Sequence, residues 1–248
     1  MPKKLPVSYD ISQFIEKIRK TKEGKPTAQA LNDLLDVSSA HGDLLFARAI
    51  LLAVTTAIEH ENDDDSPYSM PVRGALLAQA ILLYARATIT RSARKTFNIR
   101  SKLNEDQKEV HQLISNYRNE AIAHFDRKSR HDDGFWADER VILVPSIPLE
   151  QGPVRPALRR TVTQPKVLQQ IITQVDVVLP IYMELIKEKI RISNDKLDNY
   201  IRKNNEAAAI LLNDRFDPIS FFDNLERAED FLGSGRMQGT LHGVIARD

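Results

Sequence analysis

Hydrophobic residues in this chain recur mostly at spacings of three and four, a pattern that is typical of amphipathic α-helices. It predicts short helices over residues 11–19 and 27–35, and a third over residues 44–59. The third segment is apolar nearly all round, which predicts a central, buried helix. A longer helix is predicted from about residue 72 to residue 97, with a small, apolar first half and a basic second half.

The middle of the chain is predicted to contain another helix, followed by a segment whose pattern is typical of β-strands. Asn104, with Gln107 three residues later, has the pattern of a capping box. The helix that it starts is predicted to end around residues 127–133. A short apolar run at 141–145, a Gln-Gly-Pro turn and a return strand at 160–163 then predict a β-hairpin between helices.

The last part of the chain returns to helical spacing. A helix is predicted over residues 165–192, and Pro180 is expected to kink it. Two more helices are predicted at residues 195–213 and 220–232, followed by a glycine-containing tail.

These elements predict a mostly α fold. We expect a helical bundle over residues 1–194, with the small inserted β-hairpin at about 139–164. Residues 195–248 are expected to form a C-terminal helical extension and tail.

Composition narrows the classes of function. The 248 residues are 42% apolar and carry 35 basic and 34 acidic side chains, for a net charge of +1. A near-neutral chain is not a general nucleic-acid coat, although a local basic patch remains open. Because the sequence has no cysteine, disulfides, thiolate nucleophiles and Cys-based zinc sites are excluded.

The sequence predicts a soluble, cytoplasmic protein that does not enter a membrane. The N-terminus is basic, but no apolar core follows it, so it does not resemble a signal peptide. The most apolar run, residues 44–58, contains Arg48 and is expected to be too short to span a bilayer.

The most informative segment is Tyr-Arg-Asn-Glu-Ala-Ile-Ala-His-Phe-Asp at residues 117–126. Arg118 supplies a fixed cation whose planar fork suits a phosphate. His124 supplies a group that gains or loses a proton near neutral pH. Asn119 can orient either partner. These are the groups needed to cut RNA through its own 2′-hydroxyl without a metal.

An ideal helix does not bring these two groups together. At roughly 100° and 1.5 Å per residue, Arg118 and His124 lie about 120° apart and about 9 Å apart along the axis. The helix could loosen after Ala121, a long arginine side chain could bridge the gap, or two subunits could share a cleft. A purely structural interpretation also stays open, in which the histidine caps or packs and Arg118 pairs with Glu120 or Asp126.

The segment resembles the signature of the HEPN superfamily, an Arg, a polar residue, a spacer and a His. Arg118-Asn119, four further residues and His124 match it, and the trailing Asp126 is similar to the abortive-infection (AbiU-type) branch. The segments 83–86 and 111–114 also resemble that branch, and the resemblance covers about residues 44–188.

The resemblance implies a HEPN-like helical bundle that forms a homodimer with the motif in a cleft between subunits. It implies a metal-independent endoribonuclease of a toxin or phage-defence type that acts on RNA and needs no cofactor. In such systems an antitoxin protein is the expected partner. Arg118 and His124 would be catalytic, with Asn119 supporting them. Some relatives only bind nucleotides or regulate, so a non-catalytic module that binds RNA, a nucleotide or a protein is the alternative.

Other residues are candidates for binding RNA, and each has a plainer interpretation. The basic segment could track the RNA backbone or be a solvated helix end. Tyr117 could stack on a base or lie in the core, and Asp126 belongs to the motif. No HExxH pattern is present, so no metal site is expected. The basic candidates are Arg86, Arg91, Arg94 and Lys95.

Overall fold

The structure is a computed structural model. It describes residues 5–59, 69–89, 94–119, 130–131, 134–135, 137–146, 154–160 and 165–234. All structural statements below concern these residues.

The described residues form eight α-helices and six short strands, so the prediction of a mostly α fold is confirmed. The helices are α1 (Ser12–Ile18), α2 (Lys25–Glu59), α3 (Ser69–Thr88), α4 (Glu105–Asn116), α5 (Pro165–Lys203), α6 (Asn205–Leu211), α7 (Pro218–Phe222) and α8 (Leu225–Ser234). The strands are β1 (Ser8–Tyr9), β2 (Arg130–His131), β3 (Gly134–Phe135), β4 (Ala137–Leu143), β5 (Val154–Arg160) and β6 (Arg215–Phe216). A 3-10 turn, Arg100–Lys102, precedes α4.

The strands pair as three antiparallel two-stranded sheets. The largest is β4 with β5, in a register that runs from Ala137 opposite Arg160 to Leu143 opposite Val154. It lies between α4 and α5 in the chain, so the inserted hairpin is confirmed, with strands that begin a few residues earlier than predicted. The pairs β1–β6 and β2–β3 have two residues in each strand, too few for a periodic signal in the sequence.

Two helix boundaries predicted from the sequence are wrong. Helix α2 is a single helix of 35 residues where the pattern predicted two. No proline interrupts residues 35–44, and one interior glycine costs too little to end a helix. Helix α3 ends at Thr88 and does not reach residue 97. The chain around Lys95 is non-helical instead, and the Lys95 N–H donates to a carboxylate oxygen of Asp36 at 3.0 Å.

The C-terminal boundaries also differ from the prediction. Helix α5 continues through Pro180 to Lys203, past the predicted end at residue 192. The helix predicted at 220–232 is two helices, α7 and α8. Asp223 ends α7 with a left-handed φ of 52°, and the Asn224 carboxamide then accepts the Arg227 N–H at 3.0 Å to cap α8.

The chain divides into two compact units that share α2 and α5. One unit comprises residues 1–42, 91–97 and 179–248, and the other residues 43–90 and 98–178. We call them the terminal unit and the central unit. The expected division into 1–194 and 195–248 stays a prediction, and α5 runs across that boundary.

The terminal unit is built around a small apolar cluster. Phe14 and Ile18 of α1 lie buried with Ala28 of α2 and Ala207 of α6. The ring of Phe14 meets that of Tyr200 edge-on, with centroids 6.2 Å apart. This unit therefore joins segments from both halves of the chain.

The central unit contains most of the fully buried large side chains. Helix α5 contributes a stripe of buried apolar side chains to this unit, and they recur mostly at helical spacings of three and four. Those positions are Val167, Leu168, Ile171, Ile172, Val175 and Val178. Ile114 and Tyr117 are buried at the end of α4, so the site segment starts from this core.

Helix α2 is long and apolar enough to cross a membrane by length and composition alone, and a core helix of a soluble protein passes the same test. The run 44–58, which the sequence analysis expected to be too short to span a bilayer, lies within this longer helix. Leu44 and Leu51 of this helix are fully buried in the fold. Its Arg48 forms an ion pair with Asp176 at 2.6 Å. The structure is compatible with a soluble protein.

Candidate functional site

Helix α4 leads directly into the site segment, and its first turn is fixed by a capping box. The Asn104 side chain accepts the Gln107 N–H at 2.9 Å, and the Gln107 side chain accepts the Asn104 N–H at 3.0 Å. Two otherwise unpaired donors are satisfied in this way. The helix therefore begins at a defined residue, which fixes the register of the side chains that follow, as the sequence predicted.

The helix changes geometry at the start of the motif. Residues 117–119 form a π-helical turn, and Tyr117 donates its N–H to the carbonyls of Leu113 and Ile114. Such turns are rare in proteins, and those that occur are often found at functional sites. The ideal-helix geometry used in the sequence analysis therefore does not hold over residues 117–119.

Arg118 and Asn119 lie side by side on this turn. Nη1 of Arg118 donates to Oδ1 of Asn119 at 2.8 Å. Arg118 is half-buried and Asn119 is exposed, so the guanidinium is open to solvent on one side and restrained on the other. Among the residues that the structure describes, no carboxylate forms an ion pair with Arg118.

Three residues predicted to act lie outside the described residues. They are Arg91, His124 and Asp126. Glu120, the other acidic neighbour considered for Arg118, lies outside them too. The convergence of Arg118 and His124 on one phosphate therefore stays a prediction.

Tyr117 does not have the exposure that stacking on a base requires. Its side chain is 1% exposed, so the proposed base contact is wrong for this conformation and the core interpretation applies. The apolar stripe of α4 that includes Ile114 explains the burial, because Tyr117 lies three residues further along the same face.

The basic candidates that the structure describes have partners. Arg86 forms a two-pronged ion pair with Asp43, whose side chain is 10% exposed. The Asp43 carboxylate raises the pKa of Arg86 through this hydrogen bond. Arg86 interrupts an apolar stretch of the sequence and therefore needs a partner, but a local pattern does not identify Asp43.

The other two basic residues belong to the terminal unit. Nζ of Lys95 donates to Asp33 at 2.7 Å, and Arg94 donates to the Ser39 hydroxyl at 2.7 Å. Burial raises the pKa of Asp33, but hydrogen bonds from Lys95 and Gln29 outweigh it, so this pKa lies below its usual value. Half of the Lys95 side chain remains exposed, and contact of these residues with RNA stays a prediction.

A buried polar network that the sequence did not predict joins three elements of the central unit. The hydroxyl of Tyr84 on α3 lies 2.8 Å from Nδ1 of His111 on α4. Nε2 of Gln174 on α5 donates to the same hydroxyl at 3.2 Å. Tyr84 is fully buried and Gln174 is 2% exposed. The network therefore fixes α3, α4 and α5 relative to one another, and the motif follows directly after α4.

Burial lowers the pKa of His111, and the charge of Arg100 lowers it further. Burial also lowers the pKa of His41 on α2. Both imidazoles are therefore held neutral more firmly in the folded chain than in the unfolded chain.

We expect the free energy of unfolding to decrease as the pH falls below about 6.5, the usual histidine pKa in an unfolded chain. The two lowered pKa values mean that the unfolded state takes up protons before the folded state does. This contribution to stability is therefore complete above about pH 6.5 and is lost progressively towards the folded-state pKa. Urea unfolding followed by circular dichroism across this range measures the slope, and His41→Leu should reduce it. An unchanged slope in that variant would contradict the assignment to His41.

Comparisons with known proteins add no relative: no family model, no curated protein and no solved structure matched this chain.

Proposed function

We propose that this chain is a metal-independent endoribonuclease of a toxin or phage-defence type, with a HEPN-like fold. The observation that supports it is the Arg118 guanidinium, held by the Asn119 carboxamide on a π-helical turn and half-open to solvent. A restrained guanidinium without a described carboxylate partner is suited to binding a phosphate. His124, six residues further along, supplies the proton-transfer group.

In the proposed reaction, the 2′-hydroxyl of RNA attacks the adjacent phosphorus atom and the 5′-oxygen of the next nucleotide leaves. The products are a 2′,3′-cyclic phosphate and a free 5′-hydroxyl. His124 takes the proton from the attacking hydroxyl or gives one to the leaving oxygen, because its usual pKa near 6.5 allows both. Arg118 stabilises the extra negative charge on the phosphorane.

Asn119 is a positioning residue in this mechanism. Its Oδ1 accepts one N–H of the guanidinium at 2.8 Å, and the remaining N–H groups are then available for the phosphate oxygens. A fixed guanidinium loses less conformational freedom when it binds, so its charge is already in place as the transition state forms.

The proposal includes a homodimer. The arginine and the histidine that act on one phosphate can come from different subunits, because a two-fold axis would place two motifs in one cleft. We also propose an antitoxin protein as a partner, which would inhibit the enzyme by covering this cleft.

The direct test is to incubate the purified chain with a labelled single-stranded RNA in EDTA and to identify the new ends by mass spectrometry. We expect 2′,3′-cyclic phosphate ends, and no cut at a site where the attacking nucleotide is 2′-deoxy. Products with 5′-phosphate ends, or cleavage that requires added Mg²⁺, would contradict the mechanism. RNA that is bound and recovered intact would favour the non-catalytic module.

A further inference from the structure

A cleft of about 430 Å³ lies between the first half of α4 and the first half of α5, within the central unit. Gln107 and Val110 line it from α4. Gln170, Gln174 and Val177 line it from α5, with Lys166 beside them. Its wall therefore combines amide groups and apolar side chains with two charged groups, the Asp106 carboxylate and the Lys166 ammonium.

One amide in this wall has an unsatisfied atom. Oε1 of Gln170 is buried and has no hydrogen-bond partner among the described residues. A buried carbonyl oxygen without a donor is unfavourable, and this oxygen is not accessible to solvent in the present conformation. Rotation of the terminal amide towards the cleft would let a ligand N–H group satisfy it.

A second amide is fixed in orientation. Gln174 is 2% exposed, and its Nε2 donates to the Tyr84 hydroxyl, which in turn bonds to His111. The network described above therefore holds one side of the cleft in place. Such preorganisation favours specific binding over adaptable contact.

We propose that this cleft receives one unpaired base of an RNA strand, with preference for adenine. A base has apolar faces, which suit Val110 and Val177, and an edge of N–H donors and ring acceptors, which suits the glutamine amides. Glutamine pairs with the N6 amino group and N7 of adenine in a two-pronged contact. Lys166 is exposed beside the cleft and can contact a backbone phosphate.

The position of the cleft fits the proposed function, on which this inference rests. Val110 and Arg118 are eight residues apart on the same chain segment, which is about 12 Å along a helix. A base in the cleft and a phosphate at Arg118 can therefore belong to the same short single strand. The cleft would select the nucleotide near the bond that is cut.

The test uses four fluorescein-labelled hexaribonucleotides, each a homopolymer of one base and fully 2′-O-methylated, so that no 2′-hydroxyl can attack. Anisotropy titration of the full chain is expected to give tighter binding of the adenine oligomer than of the uracil oligomer, by at least about fivefold. Gln170→Leu, which replaces the amide with an apolar group of similar size, should abolish that ratio by weakening the binding of the adenine oligomer.

Two further variants make the result specific. Thr173→Phe places a ring in the cleft from an exposed position and should also remove the preference. Gln112→Leu is the matched control, because Gln112 is an exposed glutamine of α4 that does not line the cleft. An adenine preference that survives both Gln170→Leu and Thr173→Phe would overturn the inference, as would failure to bind any oligomer.

Cleavage of unmodified RNA separates this inference from the proposed function. Cleavage without base preference would leave the nuclease assignment standing and overturn the base site. An adenine preference that depends on Gln170, in a chain that never cleaves RNA, would support the base site and contradict the nuclease.

Discussion

Arg118→Ala is expected to lower the rate of RNA cleavage by about 10²- to 10³-fold, the usual effect of removing one donor that stabilises developing charge. His124→Ala is expected to lower it by about 10²- to 10⁴-fold through loss of proton transfer. Both should act in EDTA, because the proposed mechanism uses no metal. The measurement is the single-turnover rate on a labelled RNA.

The form of the side chain at Arg118 should also matter. Arg118→Lys keeps the charge but loses the planar fork, so it should restore only part of the rate. Asn119→Ala removes the contact of 2.8 Å to the guanidinium and should have a smaller effect than loss of Arg118 itself.

A matched control for lost surface charge is Arg191→Ala. Arg191 is an exposed arginine of α5 that pairs with Asp195 at 3.1 Å, and its loss should leave cleavage unchanged. Equal rates for Arg118→Ala, His124→Ala and this control would reject the assigned site.

Gly24→Ala is expected to destabilise the fold by about 3 kcal/mol, because added atoms in a packed site force the backbone to shift. Gly24 lies in the turn between α1 and α2. A Cβ at this position would lie 2.5 Å from the Ile18 carbonyl oxygen. Because this oxygen belongs to the backbone, it cannot move away by a change of side-chain rotamer. The Thr21 hydroxyl, which accepts the Gly24 N–H at 3.0 Å, would lie 2.7 Å away.

Gly42→Ala is the matched control for the same substitution. Gly42 lies inside α2, and a Cβ there would meet no atom within 4 Å. Alanine costs less conformational entropy than glycine in a helix, so this variant should be more stable than the wild type by about 0.5–1 kcal/mol. Urea unfolding measures both changes, and equal effects of the two variants would contradict the close packing at Gly24.

The spacing of apolar residues was sufficient to predict most helices because each buries one stripe. The same signal did not locate the end of α3 at Thr88. The segment around Lys95 still has a helical composition, but contacts with Asp33 and Asp36 hold it in a non-helical conformation. Those partners lie about 60 residues away in sequence, so a local pattern does not reveal them.

The candidate site was predicted only where it is local. The capping box and the motif each consist of residues that lie close together in the sequence, so a local pattern was sufficient to recognise both. The π-helical turn is a departure from regular helix that no spacing rule identifies. The Tyr84–His111–Gln174 network joins three helices, so the sequence did not reveal which of these side chains are partners. A partial signal was present, because Gln170 and Gln174 lie one turn apart within an apolar stripe, where polar side chains are expected to face inward.

The pairing of β1 with β6 has a consequence for how the chain matures on the ribosome. The Ser8 hydroxyl donates to the carbonyl of Phe216, 208 residues later, and the Ser193 hydroxyl of α5 donates to the carbonyl of Ala30. At a synthesis rate of about 5–20 residues per second, the N-terminal strand waits about 10–40 s for its partner. The terminal unit can therefore close only after the segment that contains Phe216 has been synthesised and has left the ribosome.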